Sequence, residues 1–565
     1  MEFAESFNEK KRILIQNNYQ IKKQRVMIKK TTFLIALLFT MSIVGYTQST
    51  PFQIALEPVN ISGLGGIQAF AWGQYNGKWL IVGGRLDGLH QRQPFAAFDI
   101  AGHNTQLIVI DPVAQQKWTA PLSSLPVGMQ EQLSSTNMEF YQEGDYLYLI
   151  GGYGYSNTVA DHTTYPNMSA INVPNTVNAI IGGTSFTTEF RQITDTMFRV
   201  TGGYLNKIND TYYITGGQKF LGRYNPMGPT HGPGFIQEYT NSIRKFTIDD
   251  DGTTITVTHL PSITDTVNLH RRDYNVAAQI FPGGEEGLTA FSGVFQQAVN
   301  LPFLNCVNID SVGYTVNNAF TQYYNHYHCA HIPLYSAANN EMHTLFFGGI
   351  AQYFDSSGIL VQDNNVPFVK TIARVTRDAS GVMAEYKLPI EMPSLLGASS
   401  EFIPVETLPH YNNEVFKLDE FTADTTLVGY IYGGISSTAA NVFFTNTGTQ
   451  SSASSQIFEV YVIKNAPVGI DDLNEQSTGT LKLMVYPNPN DGNFKVNYNL
   501  IRSSDVKISI YDMSGKVIEN TTVQGMTAGK HTFEKRSSDF VRGGKYILTV
   551  ETEYEKAIRK VIMKK

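Results

Sequence analysis

The sequence predicts an all-β chain: about six four-stranded β-sheets closed into a ring by an N-terminal strand, then a small C-terminal β-sandwich. Three observations predict it. A hydrophobic strand running into two small residues recurs along the chain. The last copy stops one strand short, while a lone strand precedes the first. The C-terminal stretch alternates apolar and polar residues with period two.

The recurrent pattern is Trp79-Leu-Ile-Val-Gly83-Gly84, then Tyr146-Leu-Tyr-Leu-Ile-Gly151-Gly152 and Thr211-Tyr-Tyr-Ile-Thr-Gly216-Gly217. It returns as His343-Thr-Leu-Phe-Phe-Gly348-Gly349 and Val428-Gly-Tyr-Ile-Tyr-Gly433-Gly434, with a degenerate copy, Leu288-Thr-Ala-Phe-Ser292-Gly293, between the third and fourth. The copies lie 56 to 85 residues apart. Each sets a β-rich run against glycines, which permit positive φ and close backbone approach. A supersecondary unit repeated at such spacing is the mark of a propeller or solenoid.

Composition agrees. Charged residues are 16%, aromatics 12%, and there are 48 Gly and 31 Tyr, which suits a β-rich extracellular protein. The formal charge of −7, with no basic block beyond the N-terminus, disfavours a nucleic-acid partner. Two cysteines in 565 residues exclude a disulfide framework, although Cys306 and Cys329 could form one bridge in an oxidising compartment.

Residues 1–48 read as an address. From Met27 the chain has a basic start, an apolar stretch and small residues before Gln48, the plan of a secretory signal peptide, and the stretch is short for a membrane span. Translation is expected to start at Met27; an uncleaved anchor is the alternative.

Residues 49–464 read as the ring. In the first copy, strands are expected over Ile67–Trp72, Lys78–Gly84, Gln106–Asp111 and Lys117–Leu122; in the third, over Met197–Thr201, Thr211–Gly217, Asn241–Ile248 and Thr253–His259, the last two joined by an Asp249-Asp-Asp-Gly252 turn. The fifth copy offers His328–Tyr335, Met342–Gly349, Phe368–Thr376 and Met383–Leu388. The sixth offers only Tyr411–Lys417, Leu427–Gly434 and Gln456–Ile463. Its missing strand is Phe52–Pro58, and pairing the two would remove the exposed edges.

This stretch resembles the kelch repeat family, on its hydrophobic-Gly-Gly strands, on Trp118 and on the Leu-Pro pairs at 125–126, 260–261 and 388–389. The resemblance implies a kelch-like β-propeller of about six blades. Residues 465–482 are polar and turn-rich, a linker. Residues 483–565 carry Tyr486-Pro-Asn-Pro489, Asp512-Met-Ser-Gly-Lys516 and a lysine-ended tail. They resemble the type A sorting domain of the type IX secretion system of Bacteroidetes. That resemblance implies contact with the secretion machinery, removal of the domain, a secreted or outer-surface location and no stable membrane span after processing.

Function is expected where inner strands begin and where the loops after the glycine pairs meet, around one mouth of the central channel. The residues there are Arg199, His270, Arg271, Arg272, Asp273, Tyr274, His326, His328 and His410, with Arg85, Asp87, His90, His162, Arg223 and His231 from the loops. Arg271 and Arg272 suit an anion clamp for a carboxylate or acidic sugar. His326 and His328, two apart on an extended strand, are weak metal candidates, and no cofactor is expected. The expected role is binding of a glycan or surface protein. The alternative is a carbohydrate-active enzyme similar to sialic-acid mutarotases or to galactose oxidase, for which Cys329 and the Tyr/His cluster supply residue types but no motif context.

Overall fold

The computed structural model describes residues 51–464 apart from 94, 227–231, 233, 357 and 358, and residues 481–564 apart from 482, 489, 501, 513–516, 536–542 and 553–555. The signal-peptide region, nearly all of the linker and His231 lie outside the described residues. The chain divides into two compact units, one of them Phe52–Ala466. Each is all-β, and the helices Val127–Leu133 and Val173–Gly182 are minor insertions in the larger.

That larger unit holds six sheets, each built on four antiparallel strands, and short strands extend the fifth and the sixth. The first has Ala71–Tyr75, Lys78–Val82, Gln106–Asp111 and Gln116–Pro121, and the second has Glu139–Glu143, Tyr146–Ile150, Asn167–Asn172 and Phe190–Thr194. The third is Tyr204–Ile208, Thr211–Thr215, Ser242–Asp250 and Ile255–Thr264; the fourth is Asn275–Ile280, Glu286–Phe291, Cys306–Ile309 and Tyr314–Asn317. The fifth is His331–Ser336, Glu341–Phe347, Thr371–Arg377 and Met383–Glu391. In the sixth, Leu395–Pro404, Thr425–Ser437 and Ile457–Ile463 are completed by Gln53–Val59, which runs antiparallel to Ile457–Ile463 from Gln53↔Ile463 to Val59↔Ile457.

Each sheet shares an apolar cluster with the next. Leu80 and Val82 of the first pack with Leu147 and Leu149 of the second, and Tyr148 and Ile150 pack with Tyr212 and Ile214 of the third. Trp79 and Ile81 of the first meet Tyr430 and Tyr432 of the sixth. The inward and outward alternation of each strand thus serves two neighbours at once.

The glycine pairs are the joints between sheets. The second glycine donates its N–H to the next sheet: Gly84 to Ser135 O at 2.9 Å, Gly152 to Val200 O at 2.9 Å, Gly217 to Arg271 O at 2.8 Å and Gly349 to Leu396 O at 3.0 Å. Gly434 donates to Ile67 O at 2.9 Å, from the sixth sheet to the start of the first. The first glycine of each pair has φ between +61° and +74°, and a Cβ there would run into the same neighbouring backbone. No side chain could occupy that position without parting two sheets.

Several strand boundaries differ from expectation. Residues 67–70 and 197–201 are not strand but the segments leading into the inner strands; Thr196–Phe198 is a helical turn capped by Asp195, whose Oδ1 accepts from Met197 N–H at 2.8 Å. Their hydrophobicity comes from burial at the joints, where Ile67, Phe198 and Val200 are nearly inaccessible. Tyr411–Lys417 is not the inner strand of the sixth sheet. Only Phe416–Lys417 is extended, and it pairs in parallel with the first strand of the fifth. Cys306 and Cys329 are both free and buried, not bridged.

The C-terminal unit has a three-stranded sheet (Met484–Tyr486, Phe494–Leu500, Gly529–Lys535) and a four-stranded one (Ser504–Asp512, Val517–Met526, Gly544–Glu551, Lys556–Met563). Phe494 and Val496 of one share a core with Ile508, Ile510, Leu548 and Val550 of the other, which makes a sandwich. The Asp512-Met-Ser-Gly turn falls outside the described residues except for its first residue. The Asn488 side chain accepts from Ile562 N–H at 2.7 Å, so the asparagine of the Tyr-Pro-Asn-Pro signature holds the last strand.

Gly151→Ala is expected to be far more damaging than Gly144→Ala, since both have φ near +60° but a Cβ at Gly144 meets nothing. The left-handed backbone alone costs about 1–2 kcal/mol, and the collision with Val200 O adds about 1–3 kcal/mol more. Chemical unfolding of both variants checks it; equal losses would refute the joint.

Candidate functional site

Just before the inner strands, or within the strand for Ser399, six backbone N–H groups form a closed cycle. Asn137 donates to Ala69 O, Ala69 to Ser399 O, Ser399 to His328 O, His328 to Asp273 O, Asp273 to Gly202 O and Gly202 to Asn137 O, all between 2.8 and 3.3 Å. One residue comes from each sheet. Ala69, Asn137, Gly202, Asp273 and Ser399 have left-handed backbones, which turn the chain from its joint into its inner strand. This hoop is the neck of a channel: a cavity of about 720 Å³ lies on one side and one of about 390 Å³ on the other, and Asn137, Asp273 and His328 line both.

The larger cavity is the mouth, walled by the loops after the glycine pairs of all six sheets. Two of those loops form an extra sheet from Tyr153–Ser156, Asp161–Thr164, Gln218–Leu221 and Ile236–Tyr239. Aromatic rings and side-chain amides dominate the wall, and Arg85, Arg92 and Arg272 are set among them. Arg85 is buried, held by Asp87 and donating Nη2–H to Asp99 O at 2.9 Å, with its guanidinium 5.3 Å from the Phe98 ring. Arg92 lies 4.4 Å over Phe444. Arg272 pairs with Asp273, donates Nε–H to Tyr239 Oη at 2.9 Å and lies 5.1 Å from the Phe295 ring; despite burial, Asp273 and the tyrosines hold its pKa above the ordinary arginine value. His90, wedged among Phe98, Tyr224 and Phe443, is pulled down to about 4 by burial and by Arg272, so it is neutral. His270 stacks on Tyr239 at 3.7 Å.

The sequence-selected residues separate into those at the channel and those outside it. Asp273 and His328 belong to the hoop and line both cavities, and Arg272 lines the larger one. Arg271 is not: its guanidinium is fully buried, donating to Asn268 O, Ser292 O and Asn305, and lying over Phe303, and burial lowers its pKa to about 10. It holds the degenerate Ser292-Gly293 joint to Asn305 at the fourth sheet, with its donors spent on protein oxygens. His326 is likewise enclosed. Its ring bonds Gln322 O at 2.9 Å and accepts from Gln352 N–H at 3.0 Å, and burial takes it down to about 4.

His326 and His328 therefore share no face, because the inner strand starts only at His331. Among the described residues no group of three or more His, Cys, Asp or Glu is placed to hold a metal. Arg199 is half-buried behind its helical turn and lines neither cavity, nor do His162 and Arg223. His410 is exposed and lines the smaller cavity, on the far side from the mouth.

Three residues of that smaller cavity escaped the sequence reading: Glu139, Tyr204 and Glu401. Each stands two residues after a hoop residue (137 + 2, 202 + 2, 399 + 2). Glu401 lies 2.9 Å from His328 Nε2; burial pulls that imidazole down, but the carboxylate outweighs it and the net shift is upward. Glu139 is 2% exposed and accepts from Gly203 N–H at 2.8 Å, and burial pushes its carboxyl up to about 8.

Comparison with known proteins bears mainly on the smaller unit. Residues 484–564 match the family described as "Secretion system C-terminal sorting domain". The C-terminal unit is a sorting domain. It supports export through the type IX system, to the cell surface or beyond. No helix among the described residues is long and apolar enough to cross a membrane. Among curated proteins none matches the chain in sequence. Two similar solved structures are "Structure of YjhT" (10% identity, 71% of this chain, 98% of that one, TM-score 0.37) and a RAG complex with one melted and one unmelted RSS (11%, 73%, 99%, TM-score 0.35).

The Glu139 carboxyl should give stability a pH signature. Its folded pKa exceeds the unfolded value of about 4.3, so the folded state keeps a proton that the unfolded state loses, and stability falls as pH rises from about 4.3 to 8. Glu139→Gln, neutral throughout, is expected to match wild type near pH 4, gain on it steadily to pH 8 and hold a constant advantage above. Thermal melts across that range check this.

Proposed function

We propose that residues 52–464 form a six-bladed kelch-like β-propeller, carried out of the cell by its sorting domain, that binds an acidic saccharide in the mouth. The propeller reading is supported by six sequential sheets, by apolar clusters linking each to the next and the last to the first, and by the hydrogen-bonded hoop. The signal peptide and sorting domain would be removed on the way.

The observation that carries the binding reading is the chemistry of the mouth. Arg85, Arg92 and Arg272 share one wall system with Phe98, Tyr153, Phe220, Tyr239 and Phe444. Guanidinium forks recognise carboxylates, and flat rings pack on the apolar faces of sugar rings. The volume, about 720 Å³, admits a short oligosaccharide. Most of the arginines are preorganised by Asp87, Asp273 and aromatic rings, so little side-chain entropy remains to be lost on binding.

The test is a titration of the secreted unit with uronic- and sialic-acid-containing oligosaccharides and with their neutral, carboxyl-reduced counterparts. Acidic forms are expected to bind at least about tenfold more tightly. Arg92→Ala, which leaves the neck untouched, should remove most of that preference. Equal affinity for charged and neutral sugars would refute an anion site, and no sugar binding at all would refute the saccharide.

A further inference from the structure

The smaller cavity has chemistry opposite to the mouth. Residues of all six inner strands line it, among them Trp72, Phe140 and Phe402, whose rings are only half-buried. Its carboxyl groups are Glu139, Asp273, Glu401, Glu406 and Glu414, of which Asp273 is paired with Arg272, and its one lysine, Lys207, is committed to Glu143 outside the lining. Glu401 is paired with His328, but Glu139 is not matched by any cation in the lining.

Besides the paired Glu401, four oxygens of residues lining this cavity are buried without a hydrogen-bond partner: Glu139 Oε2, Tyr204 Oη, Asn206 Oδ1 and Asn413 Oδ1. The Asn413 amide is oriented by donation to Gln279 O at 2.9 Å, which fixes its oxygen as the free end. The Gly203 N–H that holds Glu139 stands next to Tyr204, so a carboxyl and a phenol belong to one place beside the aromatic rings, where they can surround the charge of a cation. Trp and Phe rings near carboxyl groups attract organic ammonium ions through their negative faces, and a volume of about 390 Å³ suits a small one.

We propose that this cavity is a second site, independent of the mouth, that binds a small organic ammonium ion: its charge is set against Glu139 and Tyr204, and its alkyl groups against Trp72 and Phe140. A neutral polyol of the same size would satisfy the oxygens but leave the carboxyl uncompensated, so the site should reject it.

Proton linkage follows from the surroundings. Glu139 is held protonated mainly by burial, against Gly203 N–H and Arg244 that favour its charge and Asp273 that opposes it. Tyr204 stays neutral, His331 is brought down to about 4 by burial, and His328 faces Glu401. A bound cation favours the ionised carboxylate, so binding should tighten from pH 7 to 9.

The experiment titrates the full chain with choline and, separately, with glycerol, by calorimetry and by tryptophan emission. Choline is expected to saturate with an emission change that Trp72→Phe removes, and glycerol should give no saturable heat. Glu139→Gln should weaken choline by about tenfold or more and abolish the pH trend while remaining folded in thermal melts. No saturable choline binding, equal binding of glycerol, or an unchanged Glu139→Gln affinity would each overturn the proposal.

Discussion

Everything in the larger unit depends on backbone groups of one sheet being satisfied by the next. The hoop of six N–H donors and the glycine joints place main-chain polar atoms where side chains could not reach. A buried N–H or C=O left unpaired costs about as much as a lost hydrogen bond, about 1–3 kcal/mol. Missing any sheet would therefore orphan groups on two others. The apolar clusters between sheets supply the driving force, and the joints supply the register.

This dependence explains what the sequence revealed and what it hid. The Gly-Gly repeat was legible because a positive φ and a carbonyl at the place of a Cβ leave glycine little competition. The pairing of Gln53–Val59 with the last strand was legible because a strand count of three plus one orphan has few solutions. The all-β class therefore came through well.

Side-chain roles were hidden where local spacing stopped reporting position. In the first three copies Ala71, Glu139 and Tyr204 stand twelve before the first glycine (83 − 71, 151 − 139, 216 − 204). In the sixth, the segment 405–424 lengthens the hairpin, so Glu401 lies 32 before Gly433 (433 − 401) and Tyr411–Lys417 imitated the strand it displaced. Arg271 looked like a ligand clamp because charge marks a residue without saying whether carbonyls have already claimed it; Ser292 O and Asn305 O had.

Pairing Gln53 with Ile463 has a consequence for how the molecule comes into being. The first strand is made early and waits for a partner at the far end of the unit. Until that partner arrives, two bare sheet edges, adhesive to any extended chain, sit open. Loop-closure entropy makes such a remote contact slow to form. Maturation is therefore set by its final clasp: a polypeptide cut short before residue 457 loses not one strand but the seam that keeps it from sticking to its neighbours.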